Sequence, residues 1–123
     1  MTTPRILVVE DSPSVGAILM CAFEQEGCTT TLARSGAQAI ELARRWQPDL
    51  IALDLGLGHD VVAALKAGSD TCAIPIVAIS APSRGLAHGV SSEVAGIFGE
   101  PFYPAEVVSV ALEALQRPAR LSR

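Results

Sequence analysis

The sequence predicts an α/β domain, a parallel sheet with helices packed on both faces. Three observations carry this reading. Short apolar runs rich in Val and Ile recur along the chain, each too short for a core helix. Stretches with helical apolar spacing separate them, so that strand and helix alternate five times. Polar residues then stand just after the strand-like runs: Glu10-Asp11 after the first, Asp54 after the third, Ser80 after the fourth and Glu100 after the fifth. The first, third and fourth runs are apolar throughout rather than alternating, as expected of strands covered on both sides.

Taken in order, Arg5-Ile6-Leu7-Val8-Val9 reads as the first strand. Ser12-Pro13 reads as a helix start, with Ser12 as cap and Pro13 in the first turn. Val15, Ile18, Leu19, Ala22 and Phe23 would form that helix's apolar face, and Gly27 would end it. Thr29 to Ala33 is a β-branched run and reads as the second strand. Ser35 caps a helix that turns Ala39, Ile40, Ala43 and Trp46 inward and stops at Pro48. Leu50-Ile51-Ala52-Leu53 is the third strand, with Asp54 at its end. A Gly-rich turn at 56–58 leads into a short helix carrying Val61, Val62 and Leu65. Pro75 opens a fourth strand, Ile76-Val77-Ala78-Ile79, closed by Ser80. The stretch 83–94 is the weakest helix, because Gly85 and Gly89 each cost roughly 1 kcal/mol against Ala. Gly96-Ile97-Phe98 is a short last strand. Pro104 then starts a helix with Val108, Ala111, Leu112 and Leu115 on one face, and Pro118 stops it.

The 123 residues suggest a single domain over 1–123, with a core at about 4–117 and a tail at 118–123. Half the residues are apolar, enough for a core and too many for disorder. A formal charge of −4 argues against nucleic-acid binding by this domain. No apolar run approaches a membrane span, and Ile6 to Val9 is too short for a secretory signal. Cys21, Cys28 and Cys72 are odd in number and lack a close metal-ligand pair, so reduced thiols, mostly in the core, and a cytoplasmic location are expected.

In open parallel sheets the carboxyl ends of the strands share one edge, and sites form there. Glu10, Asp11 and Asp54 would reach that edge, with Ser80 and Glu100. Adjacent carboxylates repel, so their placement suggests a bound cation. A hard, oxygen-preferring ion such as Mg²⁺ suits them. Individually, the acid pair could be a solvated turn, Asp54 a cap and Ser80 nothing at all; their common position at strand ends favours a site. His59 reads better as a helix-start residue than as a ligand, and Arg84 as a solvated loop residue. The run Gly56-Leu57-Gly58-His59-Asp60-Val61 imitates a dinucleotide fingerprint, but it lacks the third glycine and does not follow the first strand.

On these residues the chain resembles a response-regulator receiver domain of the CheY-like kind. The matching pieces are Ile6-Leu7-Val8-Val9-Glu10-Asp11-Ser12, Leu53-Asp54-Leu55, Pro75-Ile76-Val77-Ala78-Ile79-Ser80-Ala81 and Pro101-Phe102. The resemblance implies a flavodoxin-like (βα)5 fold with strand order 2-1-3-4-5. It implies that Asp54 accepts a phosphoryl group from a histidine kinase or phosphotransfer protein. It assigns Mg²⁺ to Glu10, Asp11, Asp54 and the backbone carbonyl of Gly56, and contact with the phosphoryl oxygens to Ser80. It also implies a cis Glu100-Pro101 bond, a downstream protein on the face of the fourth helix, last strand and last helix, and a homodimer as one arrangement.

The chain also departs from the family pattern. Glu100 stands where the family has a lysine, a change of sign beside the expected phosphoryl group. Ile97 occupies the usual aromatic switch position, and the turn after Asp54 lacks its proline. Two readings follow: a phosphoaccepting receiver with altered switching, or a pseudo-receiver that binds a protein partner without phosphorylation. An enzyme on this sheet, such as a phosphoryl hydrolase, is disfavoured. An aspartyl-nucleophile phosphatase would want a second acid where Gly56 stands, and Glu10-Asp11 would repel a flavin phosphate.

Overall fold

A computed structural model of the chain describes residues 3–57, 60–80 and 94–116. Five parallel strands form one sheet: β1 (Arg5–Val9), β2 (Thr29–Ala33), β3 (Leu50–Asp54), β4 (Ile76–Ser80) and β5 (Gly96–Gly99). Their order is β2-β1-β3-β4-β5. Among the described residues four α-helices accompany them: α1 (Pro13–Gln25), α2 (Gly36–Trp46), α3 (Asp60–Ala67) and α4 (Pro104–Gln116). The helix expected at 83–94 and the tail at 118–123 lie outside the described residues, apart from Val94.

The sheet divides the core in two because side chains alternate along each strand. Leu7, Val9, Ile51, Leu53, Ile76 and Ala78 face α2 and α3, where they meet Ala39, Ala43, Val62 and Leu65. Ile6, Val8, Leu50, Ala52, Val77 and Ile79 face α1 and α4, against Leu19, Phe23, Val107 and Ala111. Every residue from Ile6 to Val9 is therefore buried, and so is every residue of β4. This explains why the strands read as continuous apolar runs.

The helix ends follow their local chemistry. Ser12 caps α1, its hydroxyl accepting from the Val15 amide at 3.4 Å, and Pro13 occupies the first turn, where no amide partner is needed. Ser35 caps α2 through the Gln38 amide at 3.2 Å. α2 stops at Gln47, which is left-handed at φ 51° and precedes Pro48. The Gln47 amide group donates to the carbonyls of Ala43, Arg44 and Asp70 and so joins that helix end to the loop after α3. Thr71 does the same inside that loop, donating to the Leu65 carbonyl at 2.6 Å.

Two expectations need correction. Ile18 is 49% exposed, whereas Gly16, Leu19 and Phe23 are the buried positions of α1. The helix meets the sheet along a stripe narrower than the five apolar positions suggest, and Ile18 falls at its solvent side. Of the cysteines, all free, only Cys28 is buried; Cys21 and Cys72 are exposed.

Candidate functional site

Register brings the acids together. Val9 pairs with Leu53 and with Ala33, and the ladder continues one step as the Glu10 amide donates to the Ala33 carbonyl at 2.9 Å. Glu10 and Asp54 thus leave neighbouring strands at the same level. Glu10, Asp11 and Asp54 each offer a carboxylate oxygen, and these three atoms lie within 4.8 Å of one another.

The three differ in setting. Asp11 is exposed, Asp54 half-buried, and Glu10 is only 3% exposed. One Glu10 oxygen, Oε2, accepts from the Ser12 amide at 3.2 Å, while Oε1 is buried without a hydrogen-bond partner. Burial pushes the Glu10 carboxyl up to about 7 from the usual 4.5, with the nearby Asp54 and Asp11 carboxylates adding to the rise and the Ser12 amide opposing it. Among the described residues no cation acts on Glu10 to offset this charge. Asp54 is held by the backbone that follows it: its Oδ1 accepts from the Gly56 amide at 2.8 Å, an Asx turn that opens the 3-10 turn Leu55–Leu57.

The donor set fits a hard divalent cation. It is all oxygen, it concentrates negative charge, and it contains a buried oxygen to which no group among the described residues donates. That buried oxygen is the observation that separates this cluster from an ordinary solvated acidic patch.

Ser80 ends β4, pairs with Gly99 of β5 and is 3% exposed. Since Asp54 pairs with Ile79, Ser80 stands one residue beyond the level of Asp54 on the adjacent strand. The Glu100 amide donates to the Ser80 carbonyl at 2.9 Å, extending the β4–β5 ladder, and the Glu100–Pro101 bond is cis. Glu100 is half-buried but is not a member of the carboxylate cluster, so the expectation that all four acids crowd together is corrected to three. It follows β5, which lies two strands away from β3 and Asp54. His59 and Arg84 lie outside the described residues.

The backbone donors at the site escaped the sequence reading. The Ser12 amide on Glu10 and the Gly56 amide on Asp54 both follow an i, i+2 pattern. A strand-ending Asp with a glycine two residues on is a usable signal for the second of these.

The comparisons with known proteins agree with this fold. The family model for the response regulator receiver domain matches residues 6–111. The DNA-binding response regulator MtrA of Mycolicibacterium smegmatis is 35% identical over 119 residues, covering 92% of this chain and 51% of that protein. The chain spans about half the length of the curated relatives it matches. A crystal structure of a sensor protein from Polaromonas sp. JS666 aligns with a TM-score of 0.83 at 27% identity, covering 93% of this chain and 97% of that one. The receiver domain of a sensor histidine kinase from Pseudomonas aeruginosa PAO1, solved with a magnesium ion in its active-site cleft, aligns with a TM-score of 0.79 at 22% identity. It covers 94% of this chain and 100% of that one. On the family match across most of its length, together with the 2-1-3-4-5 parallel sheet, this chain belongs to the response regulator receiver domain family of two-component signalling.

Proposed function

We propose that Asp54 accepts a phosphoryl group in a Mg²⁺-dependent reaction, from a histidine kinase or a phosphotransfer protein. The observation that carries this is the convergence of Glu10, Asp11 and Asp54 within 4.8 Å around a buried, unpartnered Glu10 oxygen. Glu10, Asp11, Asp54 and the Gly56 carbonyl would hold the ion. When bound, Mg²⁺ offsets the charge of the nucleophile and of the incoming phosphoryl oxygens. A carboxylate oxygen of Asp54 forms the new O–P bond as the bond from phosphorus to the donor nitrogen breaks. The Gly56 amide fixes the orientation of the Asp54 carboxylate for that approach. The Ser80 hydroxyl, at the end of the neighbouring strand, would donate to a phosphoryl oxygen.

Glu100 sets this chain apart. A carboxylate at the end of β5 adds negative charge where a cation would stabilise a phosphoryl dianion, so we assign it a weakened phosphorylated state and altered switching. The same residue favours the second reading, a pseudo-receiver that engages a protein without phosphorylation. In either case the partner would use the face of β5 and α4, through which a homodimer could also form. A membrane-bound form has no support among the described helices, none of which is long and apolar enough to cross a bilayer.

Incubation with a small phosphodonor, with and without Mg²⁺, followed by intact-mass measurement tests the proposal. One added phosphoryl group that requires Mg²⁺ supports it. No gain in mass under any condition leaves the pseudo-receiver reading in its place.

A further inference from the structure

The cluster's buried member is held in an unusual way. Glu10 has two carboxylate oxygens in different situations: Oε2 accepts the Ser12 main-chain N–H, and Oε1 has no partner although it is buried. The Ser12 N–H is fixed in turn by the helix start, since the Ser12 hydroxyl caps α1 through the Val15 amide and the Gly16 amide donates to the Ser12 carbonyl at 2.9 Å. Gly16 contributes a second feature. A Cβ there would lie 3.2 Å from Leu32 Cδ1, a tight approach, and 3.8 Å from Glu10 Cγ, an ordinary contact, so α1 passes beside the Glu10 stem at normal packing distance.

We propose that Ser12 is a positioning residue for the metal site, its main-chain N–H holding Glu10 Oε2 so that Oε1 is the oxygen presented to the cation. This rests on the metal reading above. The start of α1 then acts as the outer shell of the site: the cap holds the backbone, the backbone holds the carboxylate, and the carboxylate meets the ion. Outer-shell partners of ligating groups commonly change metal affinity by about 10–100-fold when lost.

The backbone at Ser12 permits a direct test. Its φ of −83° and ψ of 117° suit a proline, including one that precedes Pro13. Ser12→Pro deletes the N–H donor together with the cap and also confines the backbone of Asp11, so a retained affinity counts against the proposal while a loss is read beside Ser12→Ala, which deletes only the cap. Ser12→Asn keeps both N–H and a capping group. Ser35→Ala, which removes the equivalent cap of α2, controls for helix capping in general. Mg²⁺ affinity is read by titration calorimetry, and folding by circular dichroism in the absence of metal.

Ser12→Pro should weaken Mg²⁺ binding about tenfold or more. Ser12→Ala should weaken it less, and Ser12→Asn and Ser35→Ala should match the wild type. Wild-type affinity in folded Ser12→Pro overturns the proposal, as does an equal loss in Ser35→Ala. If Ser12→Pro does not fold, the contrast between Ser12→Ala and Ser12→Asn decides, and equal affinities overturn the proposal. A wild-type chain that binds no Mg²⁺ removes the metal reading itself, which is a different result from intact binding that Ser12 does not influence.

Discussion

The metal-free protein should lose stability as pH rises through neutrality, and Glu10 should be the cause. Its carboxyl is raised to about 7 in the folded chain against 4.5 for the free group. Between those values the native state retains a proton that the unfolded chain has released. Stability from this group is therefore complete below about pH 4.5 and is lost as pH rises toward 7, opposite in sign to an ordinary salt-bridged carboxylate. At about 1.4 kcal/mol per pH unit the difference amounts to roughly 3 kcal/mol. Glu10 is only 3% exposed, so solvent screening reduces this little. The assay is urea unfolding followed by Trp46 fluorescence across this pH range with a chelator present, comparing wild type with Glu10→Gln. The variant cannot ionise at that position, so its stability relative to wild type should climb by roughly 3 kcal/mol across the window. Millimolar Mg²⁺ should remove the wild-type loss by binding the ionised form, and should do little for the variant. A difference between the two proteins that stays flat with pH would refute the reasoning.

Two further outcomes follow from named contacts. Replacing Glu100 by lysine exchanges a repulsive charge for an attractive one; at about 4 Å even bulk water leaves roughly 1 kcal/mol for each. The equilibrium for acquiring a phosphoryl group, read by intact mass at limiting donor, should therefore improve on the order of thirtyfold, and an unchanged labelled fraction would show that Glu100 does not face the site. At Gly36, an added Cβ would lie 2.6 Å from Val61 Cγ2, a stiff β-branched neighbour on α3, so Gly36→Ala should cost about 1–3 kcal/mol in urea unfolding, and Val61→Ala in the same chain should recover part of the loss.

Much of this molecule is legible in its residues, and particular side chains show why. Ile6 to Val9 and Leu50 to Leu53 read as buried strands because helices cover both sheet faces, and no solvent-facing position interrupts the apolar run. The meeting of Glu10, Asp11 and Asp54 was legible for a related reason: parallel strands end on one edge, so residues just past them converge. Ile18 was misread because helical spacing gives the apolar arc, whereas the width of the contact depends on how α1 lies against β2 and α4. The expectation that the cysteines lie mostly in the core rests on residue type, which says nothing of their side of a helix or loop, and Cys21 and Cys72 are exposed. The separation of Glu100 from the other acids depends on lateral position in the sheet, which strand ends do not specify. The amides of Ser12 and Gly56 are properties of local backbone direction and left little mark in side-chain identity.

The central claim is that Asp54 forms an acyl phosphate with Mg²⁺ present. Borohydride trapping tests it most directly, because hydride reduces an acyl phosphate to an alcohol and marks the residue that carried the phosphoryl group. After incubation of the wild-type chain with phosphodonor and Mg²⁺, peptide mapping should find the reduced residue at position 54. It should be absent when Mg²⁺ is withheld and absent in Asp54→Asn. Reduction at another acid, or none in a chain shown to be folded and metal-loaded, would contradict the account.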